Sequence, residues 1–292
     1  MHTLRDTHLT VSVTQKLIMD DKVKVNYYPN ISQSLGIVGI AILLMLIFSP
    51  VNVLLNNAIA NEISFLIYYL LTFGGTLVIA HMIRVRKADN RTYDLSLSSI
   101  KLMALVSISM IGLQLGVSAP IVNSFHIPDF MKEMIEQFVN QKGVFSFIAI
   151  VIAAPVIEEI IFRGIILDGL LKKYSPIKSI LISSILFGIV HLNPWQFISA
   201  LILGSFSGWV YYRTKKLTLS ILIHSMNNLI GFISFYLVDM KTIMNESIFE
   251  FYGGVVNMVV ITTISILVAS IGIYLANKEM SKIKIKATRN KG

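Results

Sequence analysis

Uncharged apolar stretches of membrane-spanning length recur along the whole chain. Val25 to Asn61, Ile63 to Ile83, Leu102 to Pro128, Ser179 to Tyr212, Leu217 to Val238 and Phe251 to Asn277 contain no Asp, Glu, Lys or Arg. About 20 mostly apolar residues cross the roughly 30 Å of hydrocarbon in a bilayer, so each stretch holds at least one spanning helix. The 179–212 stretch has room for two. Pro194, in His191-Leu192-Asn193-Pro194-Trp195, supplies the break, because proline lacks an N–H and disfavours helix at the residue before it. An eighth apolar stretch, from Gly143 to about Leu171, is interrupted by Glu158, Glu159, Arg163 and Asp168. The pattern predicts an all-α polytopic membrane bundle of about eight transmembrane helices, near 34–55, 63–84, 99–121, 144–171, 176–191, 195–212, 217–237 and 254–277. A polar cytoplasmic segment (1–33) is expected before this helical domain (34–277), and a basic tail (278–292) after it.

Composition and charge give the bundle an orientation. Of the 292 residues 54% are apolar and 14% charged, against about 25% charged in a soluble domain. The absence of cysteine excludes disulfide scaffolds, thiolate metal sites and thiol nucleophiles. The net charge is +9, and 21 of the 25 Lys and Arg fall in the N-terminal segment, in the loops after the second, fourth and sixth helices, and in the tail. Lys132, Lys142 and Lys241 lie on the other side. The positive-inside rule then places both termini in the cytoplasm. The basic excess is accounted for by topology and by contact with anionic lipid at that face. Its scatter over short segments, without interleaved aromatic platforms, argues against a nucleic-acid partner. Residues 1–30 lack the apolar core of a signal peptide, so the first helix is expected to be a retained anchor. Ala200, Gly204 and Gly208 repeat every four residues and predict a close helix–helix contact. The apolar stripe within 127–140 predicts an interfacial helix.

Against this background the charges of the fourth helix stand out. The chain there reads Ala154-Pro155-Val156-Ile157-Glu158-Glu159-Ile160-Ile161-Phe162-Arg163. A charge at the centre of a membrane helix costs about 2.5–3.5 kcal/mol on insertion scales, so three need packing or function to offset them. Glu159 and Arg163 are four apart and predict an ion pair. Glu158 points about 100° away and is expected to lack that partner, with Pro155 opening space beside it. Phe187 and His191 share one face of the fifth helix, and His224 and Asn228 share one face of the seventh. At 1.5 Å per residue, Glu158, His191, His224 and Asn228 lie roughly 12–21 Å from the nearest basic loop, so all can meet near mid-bilayer.

A buried glutamate with two histidines and an asparagine suits amide hydrolysis. The carboxylate takes a proton from water with help from an imidazole. Donors on another helix stabilise the oxyanion. Other readings stay open on the residues alone. A lone His or Asn in a bundle ordinarily satisfies an interhelical hydrogen bond, as in a non-catalytic immunity or scaffold protein that binds another membrane protein. Glu158, His191 and His224 also form a two-His, one-carboxylate set able to bind zinc in a metal-dependent peptidase. A transporter is disfavoured, since the halves show no matched interrupted helices.

Glu158-Glu159-x-x-x-Arg163, Phe187-x-x-x-His191 and His224-x-x-x-Asn228 resemble, in order, the three motifs of the CPBP family, the CAAX proteases and bacteriocin-processing (Abi) enzymes. The resemblance implies an intramembrane, metal-independent glutamate-type endopeptidase without a cofactor, in a bacterial cell membrane. In it Glu158 and His191 activate water, and His224 and Asn228 form the oxyanion site. Glu159, Arg163 and Phe187 support them. The implied substrate is a membrane-embedded or membrane-delivered peptide.

Overall fold

The computed structural model describes residues 27–88, 92–125, 128, 131–132, 136, 140, 142–237 and 248–289. The N-terminal segment up to residue 26 and most of the 127–140 stripe therefore lie outside the described residues.

Among the described residues seven long helices and one shorter one, α5, follow the apolar stretches: α1 (Ile31–Asn56), α2 (Asn61–Lys87), α3 (Ile100–Val122), α4 (Val144–Leu171), α5 (Pro176–Ile189), α6 (Pro194–Thr214), α7 (Leu217–Leu237) and α8 (Val255–Arg289). All but α5 and α6 are long and apolar enough to cross a membrane. With 14 residues, α5 falls short, because that length rises only about 21 Å. The last helix runs on through the basic tail to Arg289.

Local signals set the ends. Asn30 caps α1, accepting from Gln33 N–H while the Gln33 side chain accepts from Asn30 N–H. This reciprocal pairing satisfies two donors that the helix leaves open. Asn193 caps α6 through Trp195 and Gln196 N–H, and Pro194 needs no bond in that first turn. Reversing the chain between α5 and α6 puts Leu192 in the left-handed region at φ 53. Glu62 of α2 reaches across to accept from Phe145 N–H at the start of α4.

Small residues set the closest helix contacts. On α6 a Cβ at Gly204 would stand 3.0 Å from the Ser184 side chain and 3.2 Å from Arg163 Nη2, so the predicted small-residue face does meet α5 and α4. A second such contact was not foreseen. Gly112 and Gly116 of α3 lie against the α8 backbone, where a Cβ at 112 would be 2.7 Å from the Ser265 carbonyl oxygen.

The basic loops gather at one end of the bundle, around a buried carboxylate. Asp168 pairs with Lys172 at 2.9 Å, Arg84 at 3.4 Å and Lys215 at 3.5 Å. Arg84 also lies over the Tyr93 ring, whose hydroxyl is 2.8 Å from His81 Nδ1. The loop between α2 and α3 is strapped to the α6–α7 turn. Leu217 N–H donates to the Asp94 carbonyl, the Lys216 ammonium to that of Leu97, and the Thr218 hydroxyl to that of Ser96.

Candidate active site

The fourth helix is wound unevenly around its acidic pair. Residues Ile148–Ala153 and Ile160–Leu167 have π geometry, and the short α segment Ala154–Glu159 between them carries Pro155, Glu158 and Glu159. Such widenings cluster at functional sites. At the first of them Ala154 N–H bonds to the Ala149 carbonyl, five residues back. In that register the Ile150 carbonyl would be served by residue 155, which is proline and has no N–H. Asn228 supplies the missing donor from α7, its Nδ2 lying 2.8 Å from the Ile150 oxygen. Asn228 is thereby tied to the backbone break that Pro155 creates. An amide nitrogen carries two hydrogens, and this bond uses one.

Glu159 is fully enclosed and fully bonded. Its Oε1 accepts from Arg163 Nη1 at 2.7 Å, which is the predicted ion pair, and lies 3.1 Å from His224 Nδ1. Its Oε2 accepts from the Ser207 hydroxyl of α6 at 3.0 Å. The Arg163 guanidinium rests over the Phe187 ring at 4.7 Å. A buried charge on this scale is tolerable only when paired and hydrogen-bonded.

Glu158 stands apart from Arg163, as its helical angle implies, and has partners of its own. Only 4% exposed, it accepts from the Tyr69 hydroxyl of α2 through Oε1 at 2.9 Å. Its Oε2 stands 3.9 Å from His224 Nε2. The space expected beside it is thus filled by a polar neighbour. Neither Tyr69 nor Ser207 belongs to a motif, and one among 11 tyrosines in apolar sequence carries no mark of its role.

The two histidines both meet one ring. Phe187 meets His191 edge-on with centroids 5.1 Å apart and His224 with centroids 5.4 Å apart. His191 Nδ1 is 2.8 Å from the Phe187 carbonyl oxygen. A carbonyl only accepts, so Nδ1 carries a hydrogen, and in the neutral ring Nε2 is then the acceptor. His224 Nδ1 likewise donates to Glu159. Among the described residues no hydrogen bond joins His191 to Glu158, and no group of three His, Cys, Asp or Glu is arranged to hold a metal ion. The set Glu158, His191 and His224 does not converge as ligands in this arrangement.

Six of the seven motif residues are thus linked by direct contacts, while Asn228 is bonded to the α4 backbone at Ile150; α4, α5 and α7 supply the seven, and α2 and α6 supply unforeseen partners. Residues 140–230 match the model of the type II CAAX prenyl endopeptidase Rce1-like family. The putative membrane peptidase YdiL of Bacillus subtilis is 39% identical over 77 residues, which is 26% of this chain and 32% of that protein. The UPF0177 protein YxdF of Lactococcus lactis is 35% identical over 89 residues, 30% of this chain and 49% of that protein. The similarity thus spans about a third and a half of these relatives. No solved structure matches the chain. The segment 140–230, which holds all three motifs, is thus similar to the CAAX prenyl endopeptidases and to a putative membrane peptidase.

Proposed function

We propose that this protein is an intramembrane endopeptidase in which Glu158 is the general base. The observation that carries the reading is the enclosed Glu158 carboxylate, fixed by Tyr69 on one oxygen and facing an imidazole with the other. In this scheme Glu158 takes a proton from a water molecule that the lone pair on His191 Nε2 helps to orient. The water oxygen attacks the peptide carbonyl, and the proton passes on to the leaving amine. His224 and the second N–H of Asn228 donate to the oxyanion. To donate there while Nδ1 is held by Glu159, His224 Nε2 must also carry a hydrogen in the reacting complex. Glu159, Arg163 and Phe187 hold His224 in place.

The scheme needs no metal or cofactor. Its substrate class is a peptide or protein segment embedded in, or delivered to, the membrane. The CAAX prenyl endopeptidase description of the family is one member of that class. Glu158→Gln preserves size and removes the base. In a quenched-fluorescence peptide library presented in vesicles with EDTA, wild type is expected to cleave and the variant to lose at least about 100-fold in rate. Unchanged cleavage by a folded variant would falsify the glutamate scheme, and loss of wild-type cleavage in EDTA would point to metal instead.

A further inference from the structure

Tyr69 approaches the acidic pair from a helix outside the motif-bearing segment, 89 positions from the residue it contacts. Its hydroxyl is a donor that brings no charge into an apolar region, and its ring is stacked on Phe73 with centroids 5.0 Å apart and planes 13° from parallel. In the same turn Thr72 bonds to the Tyr68 and Tyr69 carbonyls and leaves the acidic pair alone. Packing therefore fixes where the phenol oxygen lies. A glutamate carboxylate turns freely about its terminal torsion, which is broad and roughly two-fold. One donor on Oε1 removes that freedom and sets the direction of Oε2, which here faces His224.

We propose that Tyr69 is a positioning residue for Glu158: its hydroxyl holds Oε1 so that Oε2 is the oxygen presented to water. This rests on the reading of Glu158 as the base, and gives α2 a part in a site whose motifs lie on three other helices.

Tyr69→Phe keeps the ring and its stack on Phe73 and removes one oxygen, so it isolates the contact. The first measurement needs no substrate. Wild type and variant, as full chains in phosphatidylethanolamine–phosphatidylglycerol vesicles, are treated with dicyclohexylcarbodiimide, an apolar carboxyl reagent, and modification of Glu158 is followed by mass spectrometry. Release of Oε1 is expected to speed labelling roughly tenfold, in line with loss of a hydrogen bond to a charged group. Equal rates overturn the proposal.

The second measurement is turnover of the best library peptide. The expected result is a fall in kcat of roughly 10- to 100-fold in the folded fraction with KM unchanged, while Thr72→Val leaves kcat as in wild type. A Tyr69→Phe variant as active as wild type, beside an inactive Glu158→Gln, overturns the positioning role and leaves the base in place. An active Glu158→Gln overturns the base itself. A fall in activity that tracks a lowered melting temperature in both Tyr69→Phe and Thr72→Val overturns the positioning role in favour of packing.

Discussion

Two adjacent glutamates on one helix have opposite surroundings. Glu159 is tied to Arg163, His224 and Ser207, whereas Glu158 keeps one oxygen towards an imidazole 3.9 Å away. Helical angle alone separates the two in the sequence, and the Glu159–Arg163 pair follows from four-residue spacing. Glu158 has His224 beside it as the sequence suggests, but its Tyr69 partner does not follow, because a contact between residues 89 apart leaves no local trace. Asn228 is a second case. Sequence marks it as a polar residue one turn from His224, and the structure adds its bond to the carbonyl that Pro155 orphans. Asn228→Ala should therefore cost about 1–3 kcal/mol of stability through the unpaired carbonyl, whatever it does to turnover. In a Pro155→Ala background the restored N–H should shrink that cost, as read by thermal unfolding in detergent. An equal cost in both backgrounds would count against the link.

At the scale of elements, hydropathy placed every long helix, because a bilayer imposes its length on the sequence it accepts. It also set α5 at 176–191, within two residues of its observed end. The π widening of α4 is not encoded by apolar length, because it depends on how carbonyls find donors in neighbouring helices. Small residues carry a signal on both faces. The repeat Ala200, Gly204, Gly208 predicts its contact, and Gly112 and Gly116, at the same four-residue spacing, bring α3 against the α8 backbone. The two faces should respond differently. A methyl at Gly204 meets side-chain atoms of Ser184 and Arg163, which can shift, whereas one at Gly112 meets backbone of α8. Gly112→Ala is thus expected to destabilise by about 1–3 kcal/mol and Gly204→Ala by less. Denaturation in mixed detergent micelles checks the order, and Gly112→Ala should leave turnover by the folded fraction intact.

For the whole molecule, the scatter of basic residues resolves into one end of the bundle, where Arg84, Lys172 and Lys215 surround Asp168 and the 94–97 loop is strapped to the α6–α7 turn. If that end is cytoplasmic, as the charge rule requires, a thiol-reactive impermeant maleimide should sort the two faces in intact cells. The natural chain has no cysteine, so single substitutions report cleanly. Leu192→Cys, at a site 62% exposed, should label, and Leu97→Cys, at a site 74% exposed, should label only after permeabilisation. The reverse pattern would invert the topology.

The Arg84–Asp168 pair also sets an order in time. Arg84 precedes its partner by 84 residues. At ordinary synthesis rates α1 and α2 are therefore complete for roughly 4–17 s before Asp168 exists. Until then the guanidinium has to wait in water at the membrane edge, where it acts on the nascent hairpin as an orienting charge. Arrival of α4 then converts the same group into a buried tie between the early and late parts of the chain.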